Sequence, residues 1–439
     1  MHTPDTGKIH VVTMGCSKNL VDSESLLGLL KLNGADLTGD VDAADTIVIN
    51  TCGFIEAAKQ ESIDAILEAV ERKRGGRTKR VVVMGCLSER FKDDLRKEIP
   101  EVDAYFGSNE LRNVVVNLGV DYKKELLGER LLTTPSHFAY LKISEGCDNP
   151  CSFCAIPLMR GGHVSKTPGM IVAEAQNLAR QGVKELVLIG QDTTAYATDR
   201  GGDRELSSLL EAVSDVVGIE WIRLMYAYPA KFPADILRVI RERANICSYI
   251  DMPVQHISDR MLKSMRRGIT SRGTRELIDR MKREVPNLAL RTTLIVGYPG
   301  ETDQDFAELL SFVRETRFHR LGVFPYSQED GTTAFNLGDP VPKEVKEERI
   351  SAIMTAQQEI SEERNRGLVG SVLKILVDRT EDGRSIGRTE WDAPEIDQEV
   401  IIENETPLQH GNFYTAEVTD SSEYDLMAEI VRERKEEAT

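Results

Sequence analysis

Val81–Cys86 reads VVVMGC, an apolar run that stops at a glycine and a cysteine. Two upstream stretches follow the same plan, HVVTMGC (His10–Cys16) and TIVINTC (Thr46–Cys52). Each run is short and rich in Val and Ile, and each is followed by a helical pattern: SESLLGLLKLNG, FIEAAKQESIDAILEAVERK and LSERFKDDLRKEIP. Strand and helix in alternation predict a parallel α/β sheet. Right-handed crossovers keep parallel strands pointing one way, so their ends share one edge, the edge where open α/β folds place ligands. Cys16, Cys52 and Cys86 are therefore expected to converge. The plain alternative is three unrelated core thiols, since free cysteine is among the most buried residue types. Finding a thiol at the same position of three successive units argues against it.

Outward from this repeat the chain falls into three regimes. The βα region occupies residues 1–120, and DYKKELLGERLLTTPS (121–136) reads as a charged linker. Residues 137–369 again alternate strands with helices. FAYLKISEGC, ELVLIGQD, WIRLMYAYP, YIDMPVQH, LALRTTLIVGYPGE and LGVFPYS are strand-like, which predicts a partial TIM-type barrel with its site at the strands' C-terminal ends. A long charged helix should start at Lys343, just after Pro342, and end near Gly370. Residues 370–439 carry short strands with turn signals, SVLKILVD, EDGR, EVIIE, FYTAEVTD and YDLMAEIV, and predict a small five-stranded antiparallel barrel, OB-like in character. The fold class expected is multidomain α/β with this β-barrel appended.

The 439 residues are 41% hydrophobic and 29% charged, which suits a soluble protein of several domains. No apolar run approaches the roughly 20 residues of a membrane span, and MHTPDTGKIH lacks the apolar segment of a signal peptide, so the cytoplasm is expected. Seven cysteines in such a chain read as metal or redox ligands rather than a disulfide framework. The net charge is −17, and residues 370–439, with 18 Asp plus Glu against 7 Lys plus Arg, supply −11 of it. That acidity disfavours a polyanionic partner and favours a basic one, unless it serves only solubility.

The densest chemistry lies in EGCDNPCSFCAIPLMRG (Glu145–Gly161), where Cys147, Cys151 and Cys154 are spaced Cys-x3-Cys-x2-Cys. Close thiolates are soft ligands that select iron-sulfur clusters or zinc. A closed zinc site needs a fourth ligand, for which His163 is the nearby candidate; three thiolates on a four-iron cluster leave one iron open, as catalytic sites do. This motif, with Phe153 before its last cysteine and set at the first strand of a βα barrel, resembles that of the radical S-adenosylmethionine (SAM) enzymes. The resemblance implies a 4Fe-4S cluster on Cys147, Cys151 and Cys154 whose open iron is chelated by SAM, and reductive cleavage of SAM to a radical that takes hydrogen from an unactivated carbon. It also points to Gly190 and Gln191 in LIGQD, and to Gly297 and Gly300 in IVGYPGE, as SAM-binding positions, although glycine at a strand end is also ordinary turn chemistry.

Taken over the whole chain, the arrangement resembles the methylthiotransferases, whose last domain is the TRAM domain. That resemblance implies a second 4Fe-4S cluster on Cys16, Cys52 and Cys86, serving sulfur delivery, and SAM in two roles, as methyl donor and as radical source. One branch of the family modifies an adenosine of tRNA; another modifies the β-carbon of an aspartate in small-subunit ribosomal protein twelve. MGCSKNLVDSE, NTCGFIEAAKQESID, MPVQHISDRMLKSMRRG and TDSSEYDLMAEIV look like the second branch, with Val254 where that branch commonly has Leu. The partners implied are the basic ribosomal protein, docked through the acidic barrel, and an electron donor such as flavodoxin, with no membrane; tRNA is disfavoured, and modification of a tRNA adenosine is the alternative function.

Four features remain. Cys247, in an apolar strand, is expected in the core. RGGRTKR (Arg74–Arg80) reads as a solvated basic turn, with ribosomal RNA contact the alternative. Trp391 is of the kind that stacks on bases, but Glu390 and Asp392 beside it argue against a nucleic-acid face. Tyr226, Tyr228 and Tyr326 stand near strand ends, either lining a pocket or packed in the core.

Overall fold

The computed structural model describes residues 7–120, 130–201, 204–403 and 407–431. In the first region, β1 (Lys8–Thr13), α1 (Ser17–Leu32), β2 (Asp36–Leu37), β3 (Thr46–Thr51), α2 (Glu56–Arg74), β4 (Arg80–Gly85), α3 (Cys86–Glu98), β5 (Ala104–Tyr105) and α4 (Leu111–Asn117) build an all-parallel sheet of order β2-β1-β3-β4-β5. Every residue of β3 is buried, because helices cover both faces: α2 and α3 pack Ile66, Val70, Leu87 and Leu95 on one side, α1 and α4 pack Leu26, Leu30, Val114 and Val115 on the other. Since β2 and β3 flank β1 on opposite sides, the order reverses between β1 and β3, and Cys16 and Cys52 follow these two strands. The short edge strands β2 and β5 escape sequence reading because two residues carry no periodicity. The turn at RGGRTKR is held by local partners: Arg74 pairs with Glu71 and Glu101, Lys79 with Asp45, and Arg80 donates to Asn117.

Residues 121–129 of the expected linker lie outside the described residues. The part that follows is tied down rather than free. Buried Arg130 pairs with Glu24 of α1 and with Glu174, and the Thr133 amide donates to Glu24 at 2.8 Å.

The central region contains β6 (Phe138–Lys142), the short pair β7 (Ser144–Glu145) and β8 (Val164–Ser165), α5 (Ile156–Arg160), α6 (Pro168–Arg180), β9 (Glu185–Ile189), α7 (Leu206–Ser214), β10 (Trp221–Leu224), α8 (Asp235–Glu242), β11 (Ile246–Asp251), α9 (Asp259–Ser264), α10 (Ser271–Glu284), β12 (Ala289–Val296), α11 (Asp303–Thr316), β13 (Arg320–Pro325) and α12 (Lys343–Arg366). Six parallel strands run in the order β13-β12-β11-β10-β9-β6, and β6 does not pair with β13, so the barrel is open, as expected. Its outer face packs the helices through Leu141, Leu186, Leu188, Ile222, Leu224 and Leu290. Among the described residues no helix is long and apolar enough to cross a membrane.

Strands β14 (Val372–Glu381), β15 (Arg384–Arg388), β16 (Val400–Ile402), β17 (Phe413–Ser421) and β18 (Leu426–Ile430) close a barrel of order β14-β15-β16-β18-β17. The expectation of a purely antiparallel barrel is corrected here: β16 and β18 run parallel. Strand direction cannot alternate around a closed ring of five, so one pair must be parallel.

This small barrel packs against the concave inner face of the central sheet. Trp391, Ala393, Leu376 and Phe413 meet Phe138, Tyr140, Trp221 and Tyr249, with Trp221 and Phe413 edge to face at 4.8 Å, so Trp391 is a packing residue and no base-stacking platform. Cys247 is buried in the same cluster, where burial pushes its thiol up to about 12. The acidity of the C-terminal segment, expected to face a partner, is partly turned inward. Asp378 meets His137 and Arg388, Asp392 meets Arg320, Asp397 meets Arg291 and the Tyr249 hydroxyl, and Glu390 accepts from the Ser248 amide. Asp392 and Asp397 neutralise arginines of the central sheet and Asp378 neutralises Arg388 of β15, because a charge removed from water needs a partner.

Candidate active site between two sets of cysteines

At the strand ends of the first region the chain must turn sharply. Gly15 (φ +88°) and Gly85 (φ +104°) make that turn in the left-handed region just before Cys16 and Cys86. A Cβ at Gly15 would lie 2.8 Å from the Cys52 sulfur, and one at Gly85 2.4 Å from Asn50 Oδ1, so neither position accepts a side chain. Asn19 clamps two strand ends, its Nδ2 donating to Met14 O at 2.8 Å and Thr51 O at 3.0 Å. The Cys52 amide donates to Ser62 Oγ at 2.9 Å. Cys16 is exposed, whereas Cys52 and Cys86 are buried. Burial pushes Cys86 up to about 12; Arg160 pulls against that shift while Cys16 and Cys52 add to it, so the three groups lie within electrostatic reach of one another.

The Cys147–Cys154 loop follows β7. Ser152, in its middle, donates to Ser264 O at 2.9 Å and meets the Tyr298 hydroxyl at 2.9 Å, which pins the loop to the end of α9 and to the segment after β12. Two nitrogen donors reach its sulfurs. Asn149 Nδ2 lies 3.4 Å from Cys147 Sγ and 2.7 Å from Asp192 Oδ2, and Arg267 Nη1 lies 3.3 Å from Cys151 Sγ. The Tyr228 hydroxyl is 3.7 Å from the same sulfur, so Tyr228 belongs to the site, whereas Tyr326 packs on Tyr298 in the core. Burial pushes Cys154 to about 12 and Cys147 to about 11. Such thiols stay protonated alone and lose the proton outright to a bound metal.

Arg160, at the end of α5, joins the two sets. Its Nε stands 3.2 Å from Cys86 Sγ, its Nη1 2.5 Å from Asp22 and 3.3 Å from Glu145, and its Nη2 donates to Asn19. Lys142 completes the network on Asp22 and Glu145. Burial works against the Glu145 charge, but Lys142 and Arg160 outweigh it and bring the carboxyl down to about 2. Arg160, Arg267, Asn149 and Asp192 were not singled out from sequence. Arg160 and Asn149 stand inside the quoted cysteine motif, yet only the fold shows what they touch.

Of the expected SAM positions, Gln191 donates to Glu145 at 2.6 Å and leaves its own Oε1 buried without a partner, beside the similarly orphaned Ser144 hydroxyl. Gly190 is required locally, since a Cβ there would stand 2.6 Å from Ser144 Oγ. Gly297 and Gly300 both have positive φ, and Gly297 lies against Lys346. His163 is turned to Ser165 at 3.0 Å, with Asp199 beyond, so it does not serve as a fourth ligand beside the thiols. Among the described residues no set of three or more Cys, His, Asp or Glu side chains closes on a single metal ion. The donor chemistry nevertheless fits a cluster bound through thiolates: N–H groups aimed at sulfur in both sets, and buried polar atoms still open beside them.

Comparison with known proteins places this geometry. The descriptions Uncharacterized protein family UPF0004, Radical SAM superfamily and TRAM domain match residues 8–107, 141–313 and 369–431 respectively. A ribosomal protein uS12 methylthiotransferase RimO of Chloroherpeton thalassium is 55% identical over 428 residues, 97% of this chain and 98% of that protein. The protein of the same name from Cytophaga hutchinsonii is 53% identical, again over 97% and 98%. Among solved structures, the radical S-adenosylmethionine methyltransferase TsrM of Kitasatospora setae shares the fold, with a TM-score of 0.57 at 13% identity over 75% of this chain and 76% of its own. With near-complete coverage at this identity, the chain belongs to the RimO family of ribosomal protein uS12 methylthiotransferases.

Proposed function

We propose that this chain adds a methylthio group to ribosomal protein uS12, as the name of its relatives implies, that the modified atom is the β-carbon of an aspartate, and that the chain works in the cytoplasm with an electron donor such as flavodoxin. In this reading Cys147, Cys151 and Cys154 hold one 4Fe-4S cluster and Cys16, Cys52 and Cys86 a second. Gly190, Gln191, Gly297 and Gly300 line the SAM site. When bound, the clusters supply the electron that cleaves SAM and the sulfur that is delivered.

The chain's own residues do the rest. Asn149 and Arg267 donate to Cys147 and Cys151, stabilising sulfur as thiolate, and Arg160 does so for Cys86. Arg160 and Lys142, tied to Asp22 and Glu145, lock α1 against the central sheet, so both cysteine sets keep a fixed separation. The exposed surface of the small barrel, including Asp382, Glu417 and Glu429, keeps carboxylates available to a basic protein after the inward ones are neutralised. Nothing favours the tRNA-directed alternative.

The observation that carries this reading is the direct link from α5, which follows one cysteine motif, to Cys86 of the other set. The test is anaerobic reconstitution followed by iron and sulfide analysis, and mass spectrometry of uS12 after incubation with SAM and a reductant. Two four-iron clusters and a methylthio adduct on one aspartate are expected. A single cluster in intact protein, or an adduct confined to tRNA, refutes the proposal.

A further inference from the structure

Lys18 lies two residues beyond Cys16, in the first turn of α1, and is only 8% exposed. Its Nζ sits 2.9 Å from the centroid of the Tyr226 ring, and among the described residues no carboxylate, carbonyl or hydroxyl accepts a hydrogen bond from it. The other buried cations of this seam, Lys142 and Arg160, each hold carboxylates. The ammonium keeps some contact with solvent and an aromatic face does not neutralise its charge, so Lys18 is a cation open to an arriving anion.

Its partner is held with equal care. Tyr226 follows β10 with φ +60°, a conformation that a bulky side chain adopts only under constraint. The constraint is visible: the Tyr226 amide donates to Asp251 Oδ2 at 3.2 Å, and its carbonyl accepts from the Thr193 amide at 3.1 Å and the Thr193 hydroxyl at 3.2 Å. Thr193 adjoins Asp192, which receives Asn149 of the Cys147–Cys154 loop. Lys18 therefore extends from the Cys16 side and Tyr226 from the Cys147 side, and the unpaired ammonium stands on the seam between the two sets.

We propose that Lys18 is a specificity-determining residue that receives the side-chain carboxylate of the substrate aspartate. This inference rests on the reading of the chain as an aspartate methylthiotransferase. In aspartate the carboxylate is bonded to the very carbon that reacts, so fixing the carboxylate beside Lys18 fixes that carbon between the two cysteine sets. A neutral side chain of the same shape leaves the ammonium unpaired and is rejected, the asymmetry by which buried polar groups discriminate.

The experiment uses the reconstituted full-length chain, with uS12 and uS12 carrying Asp→Asn at the modified residue. Affinity and KM are measured for both. The wild type should prefer Asp over Asn by about ten- to a hundredfold, the size of one charge-assisted hydrogen bond. Lys18→Met, with iron content and thermal unfolding checked first, should lose that preference by weakening on Asp alone; Lys18→Arg should retain part of it. Equal weakening on Asp and Asn would make Lys18 a structural contact and overturn the proposal. So would weakened SAM binding in the absence of uS12, which would assign the ammonium to the carboxylate of SAM. Should Lys18→Met fail to fold, absence of an Asp preference in the wild type refutes the proposal by itself. A wild type that cleaves SAM yet modifies no aspartate refutes the underlying activity, a result distinct from these.

Discussion

Replacing Arg160 by Met tests whether the two cysteine sets are joined as described. Arg160 is 4% exposed and bonds to Asp22 at 2.5 Å, Glu145 at 3.3 Å, Asn19, and Cys86 Sγ at 3.2 Å. Methionine keeps much of the volume and removes the charge. Removing one partner of a buried ion pair costs roughly 3–5 kcal/mol because the other charge is left uncompensated. Here the loss falls at the low end, about 3 kcal/mol, since Asp22 and Glu145 keep Lys142 and Glu145 also keeps Gln191. Urea unfolding of the anaerobic apo-protein should show that loss in the transition that includes the first region, and Arg160→Lys should recover part of it, because a point charge reaches one carboxylate but not the whole fork. A second readout is local. Among the groups acting on the Cys86 thiol, Arg160 is the cation that opposes the upward push of burial, so Arg160→Met should slow alkylation of Cys86 at fixed pH. An unfolding change within about 0.5 kcal/mol of wild type, the range of ordinary surface substitutions, together with unchanged alkylation of Cys86, would refute the bridge.

Further outcomes follow from other parts of the fold. Gly85→Ala places a Cβ 2.4 Å from Asn50 Oδ1 at φ +104°, and should cost about 3 kcal/mol in urea unfolding and lower the iron bound near Cys86; a neutral result would mean the turn can relax. Arg388→Met removes the buried cation that pairs with Glu185 of β9 at 2.8 Å and Asp378 of β14 at 2.7 Å, so limited proteolysis should release the C-terminal barrel sooner, with about 3–5 kcal/mol lost. Burial, reinforced by Arg364, Arg320 and Lys282, holds His319 down to about 3, while in the unfolded chain it takes a proton near 6.5. Its contribution is therefore complete above about pH 6.5 and erodes as pH falls from there toward 3; between pH 7.5 and 5 His319→Gln should lose about 2 kcal/mol less than wild type in urea unfolding, and parallel pH profiles would refute this assignment.

The parts of this molecule that are legible in its sequence are those encoded locally. Runs of Val and Ile ending in cysteine mark β1, β3 and β4, continuously apolar where β3 and β4 are buried on both faces, and the Cys-x3-Cys-x2-Cys spacing marks its loop because the three thiols come from one short segment. Chain direction then follows from handedness, which is why convergence of Cys16, Cys52 and Cys86 can be expected before any coordinates exist. Three matters were decided only by tertiary structure. The closure of five strands imposed a parallel pair that no single strand encodes. The acidic charge of the last segment was apportioned among solvent, cations of the central sheet and the barrel's own Arg388: composition counts Asp378, Asp392 and Asp397 but cannot say that Arg388, Arg320 and Arg291 meet them. Lys18, Arg160 and Arg267 acquired their surroundings from residues far away in the chain, because the worth of a charge is set by its distance from others and by the water it has lost, and both are properties of the folded molecule.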